Sequence, residues 1–353
     1  MNSSVLIKAA EHFIGNNRVI SIEPIGNGLI HQTYKAKNDE KNIVLQAINT
    51  TVFKKPEDIV SNYILLYDFL QRHENGVIPA PVISTDGSFI WKDEENHYWR
   101  ATQFINNSSS RTIANTEKDA FTVAKSFAGF TRSLMQLDIG KLKEIIPNFH
   151  NLSFRYKQFE DAIKTASQER LLKSTHVIAE LRQRRKLVEF FELTQNSSNY
   201  PDRVMHHDCK ISNILFSKTN EEVICPVDLD TVMSGKFFSD LGDMIRSMAC
   251  TVDENSTEWG KIDIRPVFYK SIIAGYREGI GNIFTEEEKK NIHYAGLILV
   301  YMQALRFAAD YLNNDVYYKT EYAEQNLSRA TNQLILLERL EEFLKKEYFF
   351  DPY

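Results

Sequence analysis

Hydrophobic residues repeat on a short, strand-like period up to about residue 105 and on a helical period beyond it. A chain patterned this way puts a sheet in one part and a helical body in another, which is an α+β architecture. The first part reads as a short amphipathic helix over 5–14, then extended segments over 19–25, 33–36 and 43–48. Asn38-Asp39-Glu40-Lys41 supplies turn chemistry between the second and third. Pro56 opens a helix whose apolar residues Ile59, Tyr63, Leu66 and Leu70 keep helical spacing. Two more strands are expected over 88–91 and 98–105. The polar, turn-prone run 106–110 then marks a boundary, giving an expected division into 1–105 and 106–353. Helices are expected over 116–137, 153–165, 175–194, 265–280, 285–312 and 322–346. Thr285 and Glu288 have the spacing of a capping box. Residues 201–241 interrupt this helical run with loops and short strands.

The 353 residues can bury a large core without disulfides. Lys and Arg number 42 against 47 Asp and Glu, a formal charge of −5 that argues against a nucleic-acid partner. Three scattered cysteines, with no CxxC spacing, fit a reducing compartment. The first residues lack the pattern of a secretory signal. The longest strongly apolar stretch, 294–305, is shorter than the ~20 residues that span a bilayer. A cytoplasmic protein with no membrane partner is expected.

The polar string His206-His207-Asp208-Cys209-Lys210-Ile211-Ser212-Asn213 sits between apolar flanks, and Val227-Asp228-Leu229-Asp230-Thr231 follows. Phosphoryl transfer needs a carboxylate to orient and deprotonate the attacking hydroxyl, and oxygen ligands to hold Mg²⁺ against nucleotide phosphates. In protein kinases a base Asp and a metal-binding Asn lie five residues apart, and a second metal-binding Asp follows. Asp208, Asn213 and Asp228 have that order and spacing. Lys210 is placed to offset charge on the transferred phosphate. On the residues alone, a surface loop in which Asp208 and Asn213 cap turns is the alternative. His206 reads as a loop-orienting residue. Asp240 reads as a helix N-cap, with Asp243 at the third helical position and outside the catalytic set.

On these motifs the chain resembles the aminoglycoside phosphotransferase and choline kinase superfamily over nearly its whole length. The resemblance implies a protein-kinase-like bilobal fold, with a small β-rich N-lobe for nucleotide and a larger helical C-lobe carrying the catalytic loop. More narrowly, residues 26–31, 45–53, 228–233 and 240–246 resemble the N-acetylhexosamine 1-kinase branch. That branch implies transfer of the ATP γ-phosphate to the anomeric hydroxyl of N-acetylglucosamine or N-acetylgalactosamine, with Mg²⁺ as cofactor. Gly26-Asn27-Gly28 would then be a phosphate-covering loop, although the residues alone also suit a hairpin turn. Gln103 to Ile105 would meet the adenine. The sequence departs from most relatives at one place: Gln46 stands where a phosphate-holding Lys is expected, and Asn62 is the nearest polar candidate for its usual helix partner. A kinase for another small alcohol and an inactive binding module are the competing readings.

The acceptor site is least explicit. Arg306 is the only Lys or Arg between Lys290 and Lys319, and it lies on a strongly apolar helix. A buried guanidinium needs partners. Either Asp310, one turn on, pairs with it, or it donates to a bound sugar. His31 is a second sugar-binding candidate.

Overall fold

The structure, a computed structural model, describes residues 3–15, 19–26, 30–74 and 76–353. In chain order the elements are α1 (Ser3–Ile14), β1 (Ser21–Pro24), β2 (Gln32–Lys37), β3 (Asn42–Ile48), α2 (Pro56–His73), β4 (Trp91–Lys92), β5 (Tyr98–Gln103) and β6 (Ser108–Ser109). Then come α3 (Glu117–Ser133), α4 (Leu152–Thr165), α5 (Gln168–Lys173), α6 (Thr175–Gln183), α7 (Lys186–Gln195), β7 (Arg203–Met205), β8 (Ile214–Ser217), β9 (Val223–Pro226) and β10 (Met233–Gly235). The chain finishes with α8 (Phe238–Met248), α9 (Pro266–Ile280), α10 (Glu286–Lys290), α11 (Tyr294–Leu312) and α12 (Gln325–Tyr348).

Two compact units form. One comprises Met1–Ser110, Gln136–Pro147 and Ile214–Met233; the other comprises Arg111–Met135, Asn148–Asn213 and Ser234–Tyr353. The expected division at 105/106 is thus replaced by a discontinuous one. Its physical cause is strand pairing: β6 pairs with β8, and β8 with β9, so residues 214–226 join the first unit.

The first unit carries an antiparallel sheet in the order β1-β2-β3-β5-β4. Alternation places Ile43, Leu45 and Ala47 of β3 with Trp99 and Ala101 of β5 in a core closed by Ala9, Ala10, Phe13 and Ile14 of α1. The intervening residues Gln46 and Arg100 are directly paired across the two strands and belong to the other face. A second apolar cluster joins Ile48, Phe53, Ile59 and Val60 to Ile145 and Ile146.

The second unit is helical. Helix α11 is buried nearly all round, against α4, α8 and α12. Helix α3 crosses α9 at glycines: a Cβ at Gly275 would come within 2.2 Å of the Phe121 carbonyl oxygen. Two expected helices are split. The 175–194 segment breaks where Arg184 and Arg185 switch to bonds on Leu181 and Arg182, three residues back. The 285–312 segment breaks where Asn291 turns its amide onto the Glu287 carbonyl at 3.0 Å. The Thr285–Glu288 capping box forms, with 3.1 and 2.9 Å bonds. Strand β4 covers Trp91–Lys92 and not 88–91, because Ser84 and Ser88 close a turn there. Among the described residues no helix is long and apolar enough to cross a membrane.

Candidate active site

In the second unit, β7 ends in the buried residues Val204 and Met205 and delivers the chain into the His206–Lys210 loop. His207 adopts φ +66°, the left-handed conformation that turns the loop. Asp208 follows. The Asn213 amide donates to its carbonyl at 2.9 Å and to its Oδ2 at 3.0 Å. The Lys210 ammonium lies 2.8 Å from its Oδ1. Burial alone would lower the Lys210 amine; the Asp208 carboxylate outweighs that and holds it above its ordinary value. Three of the four expected catalytic and metal residues are therefore one bonded group.

The loop hangs from α8, and here the sequence-based expectation is corrected. Helix α8 starts at Phe238, and the residue before it makes no side-chain cap, so Asp240 is not an N-cap. Its two carboxylate oxygens instead accept the His206 and His207 N–H groups at 2.9 and 2.8 Å. Asp243 accepts the Cys209 N–H at 2.8 Å and is itself held by Arg246 at 2.9 Å. Burial raises the Asp243 carboxyl above its usual range, and the Arg246 charge opposes that. The sequence did carry a signal: Asp240 and Asp243 share one face of an apolar helix start, where carboxylates must find donors.

His206 is fully buried, edge-on to Phe127 at 4.9 Å. Its Nδ1 accepts the Asp208 N–H at 3.3 Å, in line with a loop-orienting role. His207 Nδ1 shares the Ser239 hydroxyl, at 2.6 Å, with His150. Burial first, then the neighbouring His207 and Arg306, hold the His150 imidazole well below its ordinary value. Phe149 stacks on His150, and the Arg306 guanidinium lies 5.5 Å from the Phe149 ring centre. Arg306 also sits 5.5 Å from the Tyr318 ring and 6.0 Å from the Tyr317 ring, and donates to Gln303 at 3.0 Å. Asp310 is not its partner. That carboxylate accepts the Tyr317 and Tyr318 N–H groups and the Asn326 amide, each at 2.9 Å. Among the described residues no carboxylate lies within ion-pair distance of Arg306. Arg155 donates to the Phe149 carbonyl, and burial, then Arg306, lowers it to about 10.

In the first unit, Asp228 adopts φ +58° and ψ 55° at the start of a short 3₁₀ turn over Leu229–Thr231. Asp230 in that turn is buried between Arg100, at 2.5 Å, and His31, at 2.6 Å. His31 has both ring nitrogens engaged, because its Nδ1 accepts the Asn49 N–H at 3.0 Å. That leaves the expected sugar contact without a hydrogen-bonding nitrogen to offer. Gln46 donates to Thr33 at 3.2 Å and accepts from Arg100 at 3.1 Å, which engages its carbonyl oxygen and one of the two N–H groups expected at a phosphate. Asn62 bonds the Lys143 backbone at 2.8 and 2.9 Å and the Val232 carbonyl, and is not a partner of Gln46. Gly26 takes φ +71°, while Gly28 lies outside the described residues. The Gln103 N–H is bound to the Ala80 carbonyl at 2.7 Å, and the Ile105 carbonyl accepts the Ser108 hydroxyl at 2.6 Å. The Arg100–Asp230–His31 group was missed from sequence.

A small antiparallel sheet unit, a helical unit, and an Asp–Lys–Asn loop anchored by a buried helix define a phosphotransferase on the protein-kinase-like fold. The chain belongs to the phosphotransferase enzyme family, whose model matches residues 21–278. Among solved structures, a microcompartment-associated aminopropanol kinase is similar over 96% of this chain and 97% of its own, with a TM-score of 0.63 at 16% identity. An amicoumacin kinase in complex with AMP-PNP and Ca²⁺ gives a TM-score of 0.64 at 12% identity, covering 96% of this chain and 94% of its own. A spectinomycin phosphotransferase in complex with ADP and its antibiotic gives 0.59 at 15% identity, with the same coverages of 96% and 94%. At these identities the likeness is one of fold.

Proposed function

We propose that the chain is an ATP-dependent kinase that phosphorylates the anomeric hydroxyl of an N-acetylhexosamine, N-acetylglucosamine or N-acetylgalactosamine. The observation that carries the acceptor class is Arg306: a guanidinium among aromatic rings, with no carboxylate partner among the described residues, linked through Phe149 and His150 to His207 of the catalytic loop. Aromatic walls with a few charged donors suit the apolar faces and neutral oxygens of a sugar. The Arg306 charge repels the ammonium groups of an amino alcohol or aminoglycoside, which a carboxylate would have to meet. The anomeric position rests on the resemblance of residues 26–31 and 228–233 to the sugar 1-kinase branch.

Asp208 orients the hydroxyl and accepts its proton, and Lys210 offsets charge on the transferred phosphate. Asn213 and Asp228 fit a Mg²⁺ ligand role by chemistry. Asn213 points its Nδ2 at Asp208, which leaves its Oδ1, a hard oxygen, for a cation. When bound, the ion neutralises charge on the nucleotide phosphates. Gly26, Gly28, Gln103 and Ile105 belong to the nucleotide site, where ATP is the co-substrate.

The test is ATP consumption across free N-acetylhexosamines, amino alcohols and aminoglycosides. The highest kcat/KM is expected with a free N-acetylhexosamine, giving an acid-labile 1-phosphate. Preferred turnover of a cationic acceptor, as the neighbours' substrates would suggest, overturns the sugar reading. Absence of turnover with every acceptor, in folded protein that binds nucleotide, favours the binding-module reading.

A further inference from the structure

We propose that Arg100 is a positioning residue for Asp228, acting through Asp230. The inference rests on the metal-ligand reading of Asp228 given above. Arg100 stands on β5 opposite Gln46 of β3 and is 6% exposed. Its Nε donates to Gln46 Oε1 at 3.1 Å, and its Nη2 lies 2.5 Å from Asp230 Oδ1. The other carboxylate oxygen lies 2.6 Å from His31 Nε2. His31 is fixed in turn. Its Nδ1 accepts the Asn49 N–H, so the proton is on Nε2, facing Asp230, and the ring stacks on Phe53 at 5.1 Å. Asp230, 2% exposed, is thereby hydrogen-bonded to His31 at one oxygen and ion-paired with Arg100 at the other.

Asp230 lies in the turn that begins right after Asp228. Asp228 occupies the left-handed region, which persists only where surrounding structure over-determines it. Asn62 holds the far side of the turn through the Val232 carbonyl at 3.3 Å. A buried ion pair gains little stability over an apolar pair of similar size, so its use here is geometric. It also neutralises a second carboxylate two residues from Asp228. The competing role is direct: Arg100 Nη1 has no hydrogen-bond partner among the described residues and could take a nucleotide phosphate.

Calorimetry of ADP binding with and without Mn²⁺ separates these roles in the full chain. In Arg100→Met the Mn²⁺-dependent gain in ADP affinity should fall roughly 10–100-fold, the loss typical when a partner of a ligating group is removed. The metal-free ADP Kd should stay within about twofold, and Arg100→Lys should recover part of the gain. Arg100→Met/Asp230→Asn, which removes both charges, should bind no worse than Arg100→Met, because an uncompensated buried carboxylate is worse than none. Additive losses in that double variant overturn the inference, also where Arg100→Met alone does not fold. So does an equal rise in the metal-free Kd, which would put Arg100 on a phosphate, or a lowered melting temperature with normal binding. Asp228→Asn is the control. If it keeps the full Mn²⁺ effect, the metal-ligand reading itself fails; if it loses the effect while Arg100→Met keeps it, only the present inference fails.

Discussion

Asp208 is held at one oxygen by an amide and at the other by an ammonium, so its charge is the property to remove. Asp208→Asn should cut kcat by at least the ~10²-fold of general base catalysis, with ADP affinity retained by calorimetry. Near-normal turnover would remove Asp208 from the mechanism. Arg306 is the sharper case, because Asp310 is occupied elsewhere. Arg306→Ala should leave the melting temperature near that of the parent and lower sugar kcat/KM by ~10–150-fold, the loss of a charge-assisted donor of about 1.5–3 kcal/mol. A lowered melting temperature with an intact sugar KM would make it structural. A second histidine, besides His150, should contribute to acid stability. Burial, then Arg277, pushes His293 down to about 4, and its Nδ1 lies 2.7 Å from the Tyr269 hydroxyl. The neutral form is favoured in the fold, so the unfolded chain takes the proton first. This stability is complete above ~6.5, the ordinary His value, and is lost as pH falls toward 4. The drop in melting temperature between those pH values should be shallower in His293→Gln. At this scale the sequence was legible where chemistry is contiguous, as in 206–213. It was silent where partners lie far apart, as with His31 and Asp230, 199 positions apart.

Elements were legible by period and misread at their ends. Strands β2, β3 and β5 follow from alternation, since each has one face in a core. The start of α8 was misread because capping rules see only local sequence, whereas the donors for Asp240 and Asp243 come from the catalytic loop. The contact of α3 with α9 was equally hidden. Propensity treats a mid-helix glycine as a weakness of ~1 kcal/mol, yet Gly275 and Gly279 are where two backbones meet. A Cβ at Gly279 would stand 2.3 Å from the Lys125 carbonyl oxygen, and a backbone cannot yield as a side chain can. Gly279→Ala should therefore destabilise, by about 1–3 kcal/mol of overpacking despite the propensity gain. Thermal melts check the sign: an unchanged or raised melting temperature would mean that α3 and α9 have room to separate.

At the scale of the whole molecule, the change of period suggests a sheet part and a helical part cut once, near residue 105. The structure closes the first unit only with two later segments, 136–147 and 214–233. Those segments supply what the sheet part lacks. Ile145 and Ile146 cover the cluster of Ile48, Phe53, Ile59 and Val60. The Lys143 backbone and Val232 satisfy Asn62, and Asp230 compensates Arg100, which is 6% exposed. A fragment of residues 1–105 would keep every strand of the five-stranded sheet while stripping one face of its cover. It would also open the cluster of Ile48, Phe53, Ile59 and Val60 to water, a loss of several kcal/mol at ~1.5–3 kcal/mol for each apolar side chain fully exposed. That is comparable to the ~5–15 kcal/mol by which a whole domain is stable. The fragment is therefore expected to show no cooperative thermal transition and poorly dispersed amide resonances. A sharp melt from residues 1–105 alone would mean that the sheet does not depend on the Asp228–Asp230 turn. It would then also be hard to see how Arg100, on that sheet, could set the turn's geometry.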